Sequence, residues 1–356
     1  MQVVLHIGTD KTGSTSIEAA LYRNRDWLRE RSVYVPETGL GRDNGHALLL
    51  EQLHDGELAS LAKELSTARD GGFARAIVSW EGMVRFHRTQ IRKLFRALRA
   101  FDIQVLVYLR DQAEIIQSAH LQWIKMSGRA LAIHTLANPS GLRQRLLAAA
   151  FIRDPRRNYY HTLRRWRRYM PGADFRVRVF DRSCLVDGDV VADLLRQLGI
   201  VKDAAFTIGR GQTNPSLDVE GALLVERWRS DPDYRDRIEG SQTRYFLDEV
   251  SVRALRRHYA RANRRLAMHF PTASEGLLFR DRACWRTEPL AAIEARSQTL
   301  SRRVREVNCV PTLQGNAHGT AVAAQTQLYQ GWSNTESWGV WSIGRRSSLR
   351  FRLPAR

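Results

Sequence analysis

The feature that most constrains the fold is a rhythm. Through the first 200 residues, short apolar runs alternate with longer amphipathic stretches. A strand covered on both faces reads as an unbroken apolar run, and a crossover helix carries one apolar stripe. The alternation therefore predicts a parallel α/β sheet. Residues 3–7 form the first apolar run, and 14–31 read as one helix with Ile17, Ala20, Leu21 and Leu28 on a common face. Residues 33–35 are a short extended piece closed by Pro36. Further strands are expected at 76–80, 103–109 and 175–180, and helices at 91–100, 113–126, 159–170 and 189–198. Past residue 200 the pattern turns helical, at 217–228, 249–270 and more weakly at 290–307. The last thirty residues read as two strands, 338–343 and 349–353, joined at 344–347.

The segment Ile7-Gly8-Thr9-Asp10-Lys11-Thr12-Gly13-Ser14-Thr15-Ser16 lies between the first strand and the first helix. Gly8 and Gly13 permit a tight turn, after which backbone N–H groups and the helix N-terminus face an anion. Ser14, Thr15 and Ser16 add hydroxyl donors, and Lys11 adds a point charge. This is not a Walker A loop: Ser14 stands where that motif has its lysine, and the lysine comes earlier, at residue 11. A plain strand–helix turn with a helix cap is the alternative.

Lys11-Thr12-Gly13-Ser14-Thr15 after a first strand resembles the sulfotransferase family, which uses 3′-phosphoadenosine-5′-phosphosulfate. The resemblance implies that this loop holds the 5′-phosphosulfate. It also implies a 3′-phosphate grip by a strand-end Arg and a Ser eight residues on, here Arg110 after Val105–Leu109 and then Ser118. Asn24…Pro36, Val78-Ser79-Trp80-Glu81, Tyr160…Trp166 with Val177–Arg182, and Arg210-Gly211 with Asn214-Pro215-Ser216 are similar to bacterial carbohydrate sulfotransferases, over about residues 2–270. Arg210 would return to the 3′-phosphate. Ser14 replaces the family's more usual Thr and keeps the hydroxyl. The implied architecture is a P-loop NTPase-like open parallel sheet flanked by helices, with a helical C-terminal part and a small terminal β-unit. The implied domains are 1–270, a helical or irregular connector at 271–311, and a β-rich tail at 312–356.

Sulfuryl transfer needs charge neutralised on the leaving phosphate, a role that falls to Lys11, and a base for the acceptor hydroxyl. The candidates, in order, are Glu81 after a buried strand, His46 in Asn44-Gly45-His46, and Glu37 after Pro36. The resemblance implies no metal. The expected acceptor is a glycan, polysaccharide or glycolipid. Two other classes stay open: a small-molecule or sugar kinase using ATP and Mg²⁺, and a non-catalytic glycan-binding protein on this scaffold.

Charge bears on the partner. The chain has 56 Lys+Arg against 37 Asp+Glu, a formal +19, and all but five of the 56 are arginine. Such a surplus fits an anionic partner, or simply a GC-rich genome. The arginines are spread, with dense runs at 153–157 and 164–168, and nucleic-acid motifs are absent. Arg143, Arg145, Arg153, Arg156 and Arg157 lie in 127–158, read as a lid or acceptor wall. No apolar stretch approaches 18 residues, so no transmembrane span is expected; peripheral membrane contact stays open. Cys184, Cys284 and Cys309 are too scattered for a metal site or a disulfide framework. With no leader pattern at the start, a reduced, cytoplasmic protein is expected. Trp332, Trp338 and Trp341 mark the tail, which weakly resembles a β-sandwich module of polysaccharide-synthesis proteins.

Overall fold

A computed structural model describes residues 1–42, 44–55, 58–127, 157–207, 247, 249–270, 279, 295, 327–329 and 348–350. Five strands among them form one sheet: β1 (Gln2–His6), β2 (Val33–Tyr34), β3 (Arg75–Ser79), β4 (Asp102–Leu109) and β5 (Asp174–Val179). The order is β2-β3-β1-β4-β5 and every pairing is parallel. The fold is α/β, as the alternation predicts. From β1 the chain goes out to the edge at β2, returns through β3, and passes over β1 to β4 and β5. The carboxyl end of β1 is therefore where the connections diverge, the place at which open α/β sheets form a crevice.

Period-two alternation loads both faces. Val3, Leu5, Val78, Val105 and Val107 enter one core; Val4, Ile77, Leu106 and Tyr108 enter the other. The first core is covered by α3 (Leu49–Asp55), α4 (Leu58–Asp70), α5 (Arg88–Leu98) and α7 (Tyr159–Tyr169), with Leu266 and Phe270 from the end of α9 (Glu249–His269) and just beyond it. The second is covered by α1 (Ser14–Arg23), α2 (Arg25–Arg29) and α8 (Val190–Gln197). At roughly 1.5–3 kcal/mol per buried aliphatic side chain, these cores supply the main drive to fold. α6 (Gln112–Ser127) follows β4.

The expected helix at 14–31 is two helices, broken at Asn24 (φ −106°, ψ 26°). Its side chain donates to the carbonyls of Ala20 and Thr207 and accepts from the Thr207 N–H at 2.7 Å. A buried amide holding a distant backbone competes with the helix ladder there. In the tail, the described pairing is antiparallel, Gln327–Tyr329 with Ser348–Arg350, the second of which overlaps the strand expected at 349–353. Positions 217–228, 290–307 and 338–343 lie outside the described residues, apart from Ala295.

By contact density the chain divides into two compact units. One, Met1–Ala119 with Ala149–Pro215 and Val250–Cys284, holds the five-stranded sheet. The other, His120–Ala148 with Ser216–Glu249 and Trp285–Arg356, holds the two-stranded pair. No helix among the described residues is long and apolar enough to cross a membrane.

Candidate functional site

The loop after β1 runs from Ile7 to Gly13 and turns directly into α1. Gly8 is at φ +71°, and a Cβ there would lie 2.4 Å from Glu81 Cα. Two backbones cross at that point, and no other residue fits. Gly13, at φ +78°, ends the loop as the N-cap of α1; a Cβ there would lie 2.9 Å from Val190 Cγ1. Gly13 offers no capping side chain and the first turn of α1 holds no acid, so the helix start is receptive to an anion. The turn is stapled from within: Thr12 is fully buried and its hydroxyl donates to the Thr9 carbonyl at 2.6 Å, while Thr9 donates to the Tyr108 carbonyl at 3.0 Å. Thr12 is thus spent on loop shape, whereas Thr15 is exposed and Ser16 half-buried.

Four candidate residues come together here. Glu81 opens the 3₁₀ turn Glu81–Arg85 just past β3, and its Oε2 accepts a hydrogen bond from the Ser14 hydroxyl. Arg110 follows β4; its Nη1 donates to the Lys11 carbonyl at 3.3 Å, and its guanidinium carbon stands 5.7 Å from the centre of the Phe180 ring. Lys11 (φ 63°) feels all of its neighbours. Burial holds its ammonium below the usual lysine range and Arg110 pushes the same way, while Glu81 and Asp10 pull it back. Ser118 is buried in α6, one turn after Glu114, and Arg110 lies two residues before that helix and pairs with Glu114. Arg210 lies outside the described residues.

The other two base candidates are elsewhere. His46 is 1% exposed, and both ring nitrogens are engaged by backbone: Nδ1 accepts from the Ser79 N–H at 3.1 Å and Nε2 faces the Pro36 carbonyl at 3.1 Å. Burial pushes its pKa down. It joins the end of β3 to the Pro36 turn, a structural task. Glu37 is on the surface, paired with Arg25 at 3.3 Å.

Several contributors are not evident from motif spacing. Arg157, read as part of an acceptor wall, is 4% exposed and grips Asp10 of the loop through two 3.1 Å bonds. Arg143, Arg145, Arg153 and Arg156 lie outside the described residues. Glu114 accepts from Arg110 Nε at 2.9 Å, so a carboxylate already occupies part of the guanidinium fork. Beneath the loop, His6 meets the Ser79 hydroxyl at 2.8 Å, its Nε2 has no partner among the described residues, and burial lowers its pKa to about 4. Beside it, Tyr108 and Arg178 both donate to fully buried Asp193, tying β4 and β5 to α8. The one signal for these in the sequence was polarity inside apolar runs, at His6 and Asp193.

Fold and loop together define a parallel α/β protein with a glycine-bounded strand–loop–helix at its switch point. No family model matches this chain. An uncharacterized protein of Archaeoglobus fulgidus is 26% identical over 151 residues, 42% of this chain and 37% of that protein, so little more than a third of that relative's length is matched. The crystal structure of a sulfotransferase from Alicyclobacillus acidocaldarius aligns with 80% of this chain and 98% of its own at 16% identity, with a TM-score of 0.36.

Proposed function

We propose that this chain transfers a sulfuryl group from 3′-phosphoadenosine-5′-phosphosulfate to a hydroxyl of a glycan. The observation that carries the reading is the convergence of Lys11, Ser14, Glu81 and Arg110 around one glycine-bounded loop at the carboxyl end of β1. In this reading the loop N–H groups and the start of α1 bind the 5′-phosphosulfate. Lys11 neutralises the charge that builds on the leaving phosphate oxygen. Glu81 takes the proton of the acceptor hydroxyl as its oxygen bonds to sulfur and the sulfur–phosphate oxygen bond breaks, releasing adenosine 3′,5′-bisphosphate. Ser14 orients the Glu81 carboxylate by donating to one of its oxygens. Arg110 and Ser118 face the 3′-phosphate, which must displace Glu114 from the Arg110 fork.

Isothermal titration decides the donor. Adenosine 3′,5′-bisphosphate is expected to bind without metal, and more tightly than adenosine 5′-phosphate. Binding of ATP with Mg²⁺ in its place would make the chain a kinase. Transfer of labelled sulfate across a glycan panel then identifies the acceptor, and tight nucleotide binding with no transfer to any glycan would leave a binding protein.

A further inference from the structure

A second cationic feature lies apart from the loop. An open groove of about 620 Å³ runs between the start of α5 and one flank of α7. The α7 wall is His161, Arg164, Arg165 and Arg168, spaced as one helical stripe about 10 Å long. His87, the N-cap of α5, and Arg88, its first residue, face it. Beside this stripe, Tyr159, Leu163, Trp166 and Met170 are buried in the core, so α7 is amphipathic in an unusual sense: apolar on one flank and purely cationic on the next.

Solvated helix faces normally mix signs, because acids four residues from bases stabilise the helix. Here neither α5 nor α7 contains an Asp or Glu, although together they carry eight Lys and Arg. Elsewhere arginines meet carboxylates: Arg31 with Asp203, Arg157 with Asp10, Arg176 with Asp174, Arg256 with Asp111. Among the described residues no carboxylate pairs with Arg88, Arg164 or Arg168, and all three are exposed. The floor is fixed. Arg165 donates to the Val84 carbonyl at 3.2 Å, and its buried Nε has no partner among the described residues. The Tyr169 ring is flanked by the guanidinium carbons of Arg92 at 5.3 Å and Arg168 at 5.7 Å. Concentrating like charge on adjacent helices costs stability, and a bound anion would offset it.

We propose that this groove binds a small polyanion, carrying at least two phosphate or sulfate groups within about 10 Å of each other. Guanidinium forks match the tetrahedral oxyanion in geometry. The volume is that of a small-molecule site rather than of a trough for a polymer. The proposal does not rest on sulfuryl transfer, since it uses none of the loop residues.

The test is isothermal titration of the full chain at low salt with two probes, inorganic tripolyphosphate and a trisulfated disaccharide, which separate a phosphate source from a sulfated sugar. Five proteins are compared: wild type, Lys11→Ala, the pair Arg164→Ala/Arg168→Ala, its conservative counterpart Arg164→Lys/Arg168→Lys, and the pair Arg23→Ala/Arg99→Ala, which removes the same charge elsewhere. At least one probe is expected to saturate one site per chain in wild type and in Lys11→Ala. That site should weaken at least tenfold in Arg164→Ala/Arg168→Ala and less than twofold in Arg23→Ala/Arg99→Ala. Arg164→Lys/Arg168→Lys should recover part of the loss. Unchanged binding in the groove pair, or equal loss in both alanine pairs, overturns the proposal. So does a DNA duplex that binds through Arg164 and Arg168 while neither small probe does.

Discussion

At the scale of single residues, Lys11 is the side chain on which the proposed reading depends most. It is held at φ 63°, a conformation that costs a non-glycine residue about 1 kcal/mol or more, and it is partly desolvated next to Arg110. Under the proposed reading, Lys11→Ala should lower turnover by about 10²–10³ with the fold intact, measured by sulfate transfer beside a thermal melt. Wild-type turnover would remove Lys11 from the mechanism. Glu114 makes the opposite test. Because its carboxylate holds Arg110 Nε, Glu114→Gln should tighten adenosine 3′,5′-bisphosphate several-fold while leaving adenosine 5′-phosphate unchanged. Equal effects on both nucleotides would separate Arg110 from the 3′-phosphate. Below the loop, His6 titrates at about 4 in the fold against an ordinary 6.5. Above pH 6.5 it is neutral folded and unfolded, and its contribution is complete. As pH falls from 6.5 toward 4 the unfolded chain takes the proton and the fold does not, so stability drops by up to about 3 kcal/mol. His46 shifts in the same direction. Urea midpoints between pH 7 and 4 should fall less steeply in His6→Asn than in wild type; parallel slopes would mean that His6 is protonated in the fold.

At the scale of elements, the loop is shaped by what crosses it. Gly8 permits the 3₁₀ turn bearing Glu81 to pass against the loop backbone. Gly8→Ala combines a positive φ with a 2.4 Å clash on backbone, and is expected to cost about 3 kcal/mol or more. A chemical denaturation curve within 1 kcal/mol of wild type would show that the two segments can part. The pairing of Asp10 with Arg157 ties the loop tip to a residue two positions before α7. Asp10 is 27% exposed, so Arg157→Ala should cost about 2 kcal/mol rather than the larger penalty of a fully buried pair. The signature expected of a loop anchor is a loss of nucleotide affinity together with the fall in Tm.

At the scale of the molecule, every described candidate of the loop site belongs to the unit that contains the five-stranded sheet, whereas residues 312–356 belong to the other unit. A chain ending at residue 311 is therefore expected to bind adenosine 3′,5′-bisphosphate as the full chain does, by calorimetry. Loss of binding with the melt preserved would assign the tail to the active domain. The basic surplus also acquires a place: some of the 56 Lys and Arg pair with acids, as Arg31 does with Asp203, whereas α5 and α7 carry eight and no acid of their own.

Periodicity and local chemistry were legible along the chain, because they need no knowledge of distant partners. Apolar runs buried on both faces announced β1, β3 and β4, period-two alternation announced β5, and the glycine-bounded segment 7–16 announced the tight turn between β1 and α1. The alternation did not specify strand order, and α3 and α4 did not stand out from it. Three base candidates could be ranked in one dimension, Glu81 first, but not told apart by their surroundings. Packing separated them, placing Glu81 against Ser14, closing His46 between two backbone segments and leaving Glu37 at the surface with Arg25. Asp10 and Arg157 are 147 residues apart, and Asn24 and Thr207 are 183 apart. No periodicity links positions so distant. They meet because both faces of the sheet must be covered, and that requirement acts on the folded chain alone.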